Sequence, residues 1–209
     1  MIPKFLKDLP TKIVAVGLNY HNHAKELGMN APRHPIIFIK PNTTIISNGE
    51  TIILPSISER VDYEAELALI IRKKCKDVSE KDALDYVEGF TCLNDVTARD
   101  LQKLDGQWTR SKSFDTFCPI GPKLIKVGKI NPNNVSIQCF LNGELKQESS
   151  TREFIFKVEK IISFISQAMT LNPGDIITTG TPPGIGPMKS GDIVEVKIEG
   201  IGTLKNPIE

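Results

Sequence analysis

Residues 61–71, VDYEAELALII, restrict the fold more than any other stretch of the chain. In an extended strand side chains alternate between faces, so Asp62, Glu64 and Glu66 point one way and Val61, Tyr63, Ala65 and Leu67 the other. Residues 67–71 are apolar without interruption, the pattern of a strand covered on both faces. Three like charges on a partly dry face repel one another and lose hydration, a combination that calls for a cation. The other reading of an alternating acidic strand is the solvated outer face of an antiparallel sheet. The apolar continuation favours a partly enclosed site for Glu64 and Glu66.

Most of the remaining pattern is also short strand. Apolar runs at 12–17, 36–39, 90–93, 175–179, 193–198 and 201–204 are bounded by glycine or proline, and 135–141 alternates into an Asn142-Gly143 hairpin turn. Helical spacing is confined to a few segments. One runs from about Tyr20 to a stop at Gly28. A second starts at Ser79 with Asp82 as capping partner, carries Ala83, Tyr86 and Val87 on one face, and closes at Gly89. Thr97 and Asp100 are the candidate caps of a third. The longest has an apolar stripe of Ile155, Val158, Ile162, Ile165 and Met169 that should pack on a sheet. The expected fold class is α+β, predominantly β. No repeat or linker interrupts it, so residues 1–209 are read as one domain: an N-terminal segment, 1–50, and a core, 51–209.

Lys and Arg number 26 against 25 Asp and Glu with no block of one sign, which leaves no footprint for nucleic acid or an anionic membrane. The four cysteines are far apart without a C-x-x-C pair and read as reduced core residues. No stretch approaches the roughly 18 apolar residues of a membrane span. A soluble, cytoplasmic chain acting on a small molecule is the expectation.

Several residue groups carry chemistry. His23 and Glu26 are neighbours on one helix face, and a carboxylate orients a histidine and makes it more basic, as proton abstraction from water requires. An exposed, incidental pair would look the same. Residues 29–35 contain two prolines and no core pattern, which suits a mobile loop closing over ligand. Asp95, at a strand end, is a third acid to join Glu64 and Glu66. Three carboxylates without clustered His or Cys make a hard oxygen site suited to Mg2+ or Mn2+ and ill suited to structural zinc. Lys112 could stabilise enolate charge beside a metal, although a lone lysine is more often solvated surface. In GTPPGIG, residues 180–186, Thr181 offers a hydroxyl and an N–H to an anion; a plain sheet-connecting loop is the alternative. There is no Gly-Lys-Ser/Thr, so no nucleotide cofactor is expected.

Six blocks in order, GLNYHNHAKE, YEAELALI, CLNDVTARD, WTRSKSFDTFCPIGP, NGELKQ and PGDIITTGTPPGIG, resemble the fumarylacetoacetate hydrolase family, specifically its short acylpyruvate hydrolase and oxaloacetate decarboxylase-like members. The resemblance covers nearly the whole chain. It implies a mixed, mostly β, rolled fold with a few packed helices, a Mg2+ or Mn2+ ion and a homodimer. It implies Glu64, Glu66 and Asp95 as metal ligands and His23 with Glu26 as the water-activating dyad. Lys112 becomes the enolate stabiliser, and Tyr20, Arg99, Gln102 and Thr181 become substrate-pocket residues, Thr181 toward the carboxylate. The implied activity is C–C bond hydrolysis of acylpyruvates with oxaloacetate decarboxylation beside it. A 2-hydroxyhepta-2,4-diene-1,7-dioate isomerase or an oxaloacetate tautomerase is the alternative, since all share an enolate. A metal-stabilised binding protein is the non-enzymatic alternative and has no need of His23, Glu26 and Lys112 together. Ser149-Ser150 departs from the family, where a Gly-Asn pair is commoner.

Overall fold

The computed structural model describes residues 2–26, 28 and 30–209. In chain order it comprises β1 (Ile13–Gly17), α1 (His21–Glu26), β2 (Ile36–Lys40), β3 (Ile45–Ser47), β4 (Val61–Tyr63), β5 (Ala65–Ile71), β6 (Val87–Asn94), β7 (Thr97–Ala98), α2 (Arg99–Asp105) and α3 (Thr109–Lys112). There follow β8 (Cys118–Lys126), β9 (Ser136–Leu141), β10 (Glu144–Ser150), α4 (Val158–Ala168), β11 (Ile176–Thr178), β12 (Gly186–Pro187), β13 (Ile193–Ile198) and β14 (Gly202–Pro207). The fold is α+β and mostly strand, as the patterning indicated. A seven-stranded sheet runs β2-β1-β11-β5-β6-β8-β3, a four-stranded sheet β10-β9-β13-β14, and a small three-stranded sheet β12-β4-β7. The first fifty residues put β1, β2 and β3 into the same large sheet as β5, β6, β8 and β11.

The apolar run at 67–71 lies in β5, which is buried at all seven positions in the middle of the large sheet. Leu67 and Leu69 join Val14, Phe90 and Ile177 in the main core, while Ala68 and Ile70 join Leu6, Leu93 and Ile176 in a smaller one. A strand lined by two cores has to be apolar on both faces. The Asn142-Gly143 turn closes β9 onto β10 with φ of 54° and 81°, the two positive values of a type I′ turn. All four cysteines are buried and free.

Four expectations need correction. The strand expected to run through 61–67 is interrupted at Glu64, and its two halves belong to different sheets. Side chains take over the ladder there: the Glu64 N–H donates to Asn94 Oδ1 at 2.9 Å and the Ala65 N–H to Gln147 Oε1 at 3.0 Å. The helix expected over 79–89 is a 3-10 segment, Glu80–Tyr86, and Gly89 lies inside β6. Gly89 serves close strand approach, because a Cβ there would meet the Ile125 carbonyl of β8. Thr97 and Asp100 do not cap α2: Thr97 lies in β7, and Asp100, in the first helical turn, accepts from Ser58 Oγ at 2.6 Å and the Glu59 N–H at 2.8 Å. In α4, Ile155 and Met169 fall outside the helix, whose buried side lies against the 80–86 segment and joins the main core. Met29, the first residue of the expected closing loop, lies outside the described residues.

Gly89→Ala tests the close β6–β8 approach. Overpacking of this kind costs about 1–3 kcal/mol, and in a domain of this size each kcal/mol lowers Tm by about 2–4 °C. An unchanged Tm in a thermal melt would remove the contact from the account.

Candidate active site

The interruption at Glu64 builds the site. Ala65 pairs with Asn94 across β5 and β6, so Glu64 and Asp95 lie side by side just beyond the ladder, where the Asp95 N–H donates to the Glu64 carbonyl at 2.9 Å. Glu66 follows on β5. One carboxylate oxygen from each of Glu64, Glu66 and Asp95 lies within 4.8 Å of the others, and all three side chains are buried. Asp62, the remaining acid of the alternating row, goes elsewhere: it pairs with Arg60 and with Arg99, each at 2.9 Å.

Cations are distributed unevenly over this cluster. Lys112 Nζ donates to Glu64 Oε2 at 2.8 Å and Asp95 Oδ2 at 2.7 Å. Lys40, fully buried, pairs with the other Asp95 oxygen and donates to the Phe117 carbonyl at 2.9 Å. Arg99 pairs with Glu64 while also donating to Asp62 and, at 2.6 Å, to Gln102 Oε1. Glu66 receives the Gly180 N–H at 2.8 Å, and among the described residues no ion pair reaches it.

The titration behaviour follows. Burial works against ionised Glu64, but Lys112 and Arg99 outweigh it and lower its pKa to about 2. Burial, then the charges of Asp95 and Glu64, push Glu66 well above the carboxylate range. Burial opposes the Lys112 ammonium, yet Asp95 and Glu64 more than compensate and its pKa is raised. Glu66 is thus the acid that gains most from a nearby cation. Three anionic oxygen donors at mutual reach, one of them short of positive charge, fit a hard divalent ion such as Mg2+ or Mn2+.

α1 supplies the histidine. His23 is buried and its Nδ1 lies 2.8 Å from Glu26 Oε2. The other Glu26 oxygen accepts the Gly184 N–H at 3.1 Å, which ties the pair to the 180–186 loop. That loop is fixed from a second side by Gln147, which donates to Thr181 Oγ1 at 2.9 Å and to the Pro182 carbonyl at 2.8 Å. A cavity of about 110 Å³ gathers His23, Glu64, Glu66, Asp95, Arg99, Gln102, Lys112 and Thr181 on its walls. Of the residues selected from sequence, Glu26 stands behind His23. Tyr20 is not on the cavity surface; it lies in the core with its ring edge-on to Phe154 at 4.9 Å. Burial and the charge of Glu66 raise the Tyr20 pKa well above its usual value, so it remains a neutral phenol.

Three residues of the site escaped sequence reasoning: Lys40, Asn94 and Gln147. None stands at a spacing that signals function, and each takes its role from a partner at least 30 positions away.

Carboxylates fit for a divalent ion beside a buried histidine backed by Glu26 and a buried lysine, in one cleft, have the make-up of a metal-assisted enzyme site. Residues 12–209 match the family described as Fumarylacetoacetate (FAA) hydrolase C-terminal, and the chain belongs to that family of enzymes. It is 60% identical over 200 residues to an uncharacterised protein of Methanocaldococcus jannaschii, covering 96% of this chain and 84% of the other. It is 45% identical to the mitochondrial oxaloacetate tautomerase Fahd2a of Rattus norvegicus, covering 95% of this chain and 66% of that protein. Among solved structures it superposes with a TM-score of 0.89 on 2-hydroxyhepta-2,4-diene-1,7-dioate isomerase from Mycobacterium marinum, at 46% identity over 97% of this chain and 76% of that one. No helix among the described residues is long and apolar enough to cross a membrane.

The uneven charge distribution gives two isosteric substitutions opposite effects in metal-free protein. Glu64→Gln leaves buried Lys112 and Arg99 short of an anion and destabilises, by about 3–5 kcal/mol for a broken buried pair. Glu66→Gln removes an uncompensated carboxylate and raises Tm. The sign with pH follows: the Glu64 contribution is present above the ordinary carboxylate range and lost as pH falls through about 2. The cost of Glu66 appears only as pH rises above that range toward its raised pKa, so the advantage of Glu66→Gln at pH 8 should vanish near pH 4. Thermal melts in chelator at the two pH values check this. Equal Tm changes for both variants would refute the assignment of charge.

Proposed function

We propose that the chain is a Mg2+- or Mn2+-dependent enzyme that hydrolyses the C–C bond of small acylpyruvate-type 2-oxo acids. The observation that carries this reading is the convergence of the carboxylate triad, the His23–Glu26 pair and Lys112 on one cavity. A divalent ion held by Glu64, Glu66 and Asp95 supplies Lewis-acid polarisation of the 2-oxo group and positive charge for the adjacent carboxylate.

The chain's own groups do the rest. With Nδ1 engaged by Glu26, the proton acceptor of His23 is Nε2, and Glu26 stabilises the imidazolium that forms. His23 takes a proton from water as its oxygen adds to the 4-oxo carbon. The C3–C4 bond breaks, the acyl half leaves as a carboxylic acid, and the electron pair remains on the other half as the enolate of pyruvate. The Lys112 ammonium, held at the edge of the triad, stabilises the enolate oxygen. His23 returns its proton to C3, which completes pyruvate. Gln102, whose Oε1 is taken by Arg99, offers its amide nitrogen to a substrate oxygen, and Thr181 offers its backbone N–H to the carboxylate.

A second reading keeps the enolate and omits the water, so that the same residues would tautomerise or isomerise a 2-oxo acid or decarboxylate oxaloacetate. The likeness to relatives named oxaloacetate tautomerase and dienedioate isomerase supports it. The family resemblance further supports one catalytic domain acting as a homodimer.

Acetylpyruvate, oxaloacetate and 2-hydroxyhepta-2,4-diene-1,7-dioate assayed side by side with Mg2+ and Mn2+ separate these readings. Formation of pyruvate and acetate from acetylpyruvate at the highest kcat/KM is expected, and faster tautomerisation or isomerisation with no hydrolysis would replace the first reading by the second. His23→Ala should lower hydrolysis by about 10²-fold or more while leaving metal affinity by calorimetry unchanged. Wild-type turnover in that variant would remove His23 as the base.

A further inference from the structure

Catalysis as proposed uses only one side of the cavity. The other side is apolar: Ile36 and Phe38, which share a face of β2, line it together with Trp108. The Phe38 and Trp108 rings stand edge-on with centroids 5.2 Å apart at 82°. Trp108 reaches this position only because residue 17, at the end of β1, is glycine; a Cβ there would overlap the indole ring. The wall begins at the catalytic lysine, since Lys112 Nζ lies 5.3 Å from the centroid of the Phe38 ring.

What this wall lacks decides its use. Among the described residues, the two permanently cationic side chains lining the cavity are Arg99 and Lys112, and both are engaged on the acid side. Arg99 is held by Asp62, Glu64 and Gln102, and Lys112 by Glu64 and Asp95. A second carboxylate placed against Phe38 and Trp108 would lose part of its water and meet only cations already paired with Asp62, Glu64 or Asp95, an unfavourable exchange. A methylene in the same place gains roughly fourfold in binding.

Resting on the reading above, which seats the oxo-acid head at the triad, we infer that the Ile36–Phe38–Trp108 wall receives the acyl end of the substrate and selects an uncharged, apolar one. The preferred substrates are then 2,4-dioxo monocarboxylic acids with a short alkyl tail, and 2-oxo dicarboxylic acids with a distal carboxylate are poor. Ile36, at the rim and 38% exposed, is the position where a charge would change that preference without disturbing the core.

The test compares 2,4-dioxoheptanoate with 2,4-dioxoheptanedioate, which differ by a terminal methyl against a terminal carboxylate, in Mn2+-loaded protein. The monoacid should exceed the diacid at least tenfold in kcat/KM, and Ile36→Lys should narrow the ratio severalfold, lowering the KM of the diacid and raising that of the monoacid. Calorimetric Kd values for both acids on Mn2+-loaded His23→Ala protein should show the same order. Parity or a preference for the diacid, or a ratio unmoved by Ile36→Lys, overturns the assignment of the wall even if acylpyruvates are hydrolysed. Absence of hydrolysis with both acids would instead overturn the hydrolase reading, and the Kd ratio would still judge the wall.

Discussion

Glu66 is a carboxylate in the interior with like charges for neighbours and, among the described residues, no ion-pair partner, and the rest of the site is arranged around that imbalance. Glu64 and Asp95 are each satisfied by two cationic side chains, so either could be buried in a protein with no further purpose. Glu66 could not. A buried ionised group without a partner either gives up its charge or acquires a counter-ion. The raised pKa of Glu66 is the first solution, and a divalent ion shared with its two neighbours is the second.

Backbone geometry makes the imbalance possible. The polypeptide passes from the small sheet to the large one at Glu64, and the hydrogen bonds that a continuous strand would have made are taken by Asn94 and Gln147. The same Gln147 holds the 180–186 loop, and that loop holds Glu26 through the Gly184 N–H. The strand start at Ala65, the 180–186 loop and the His23–Glu26 pair are therefore joined through the Gln147 side chain and the Gly184 N–H. Such supporting shells keep reacting groups in register.

Much of this was legible in the sequence because burial leaves a local signature. The apolar runs, the Asn142-Gly143 turn and the buried strand β5 carrying Glu66 follow from hydrophobic patterning and from glycine at positive φ. The His23–Glu26 pairing follows from helical spacing. What failed depended on distant partners. Gly89 reads as a helix stop because glycine marks both helix ends and close strand contacts, and the choice lies with Ile125, 36 positions on. The break at Glu64 is set by residues 30 and 82 positions away from the groups they bond. Lys40, at a strand end before a proline, looks like any surface lysine until β2 takes its place in the sheet and its ammonium reaches Asp95. Tyr20 stands in a functional motif and lies in the core against Phe154, a placement local pattern does not carry.

Diffraction from crystals soaked in Mn2+, read at the manganese absorption edge, addresses the central claim directly. A single anomalous peak should lie at coordinating distance from one oxygen each of Glu64, Glu66 and Asp95, beside His23 and Lys112. A peak located elsewhere, or none at these carboxylates at saturating Mn2+, would contradict the account.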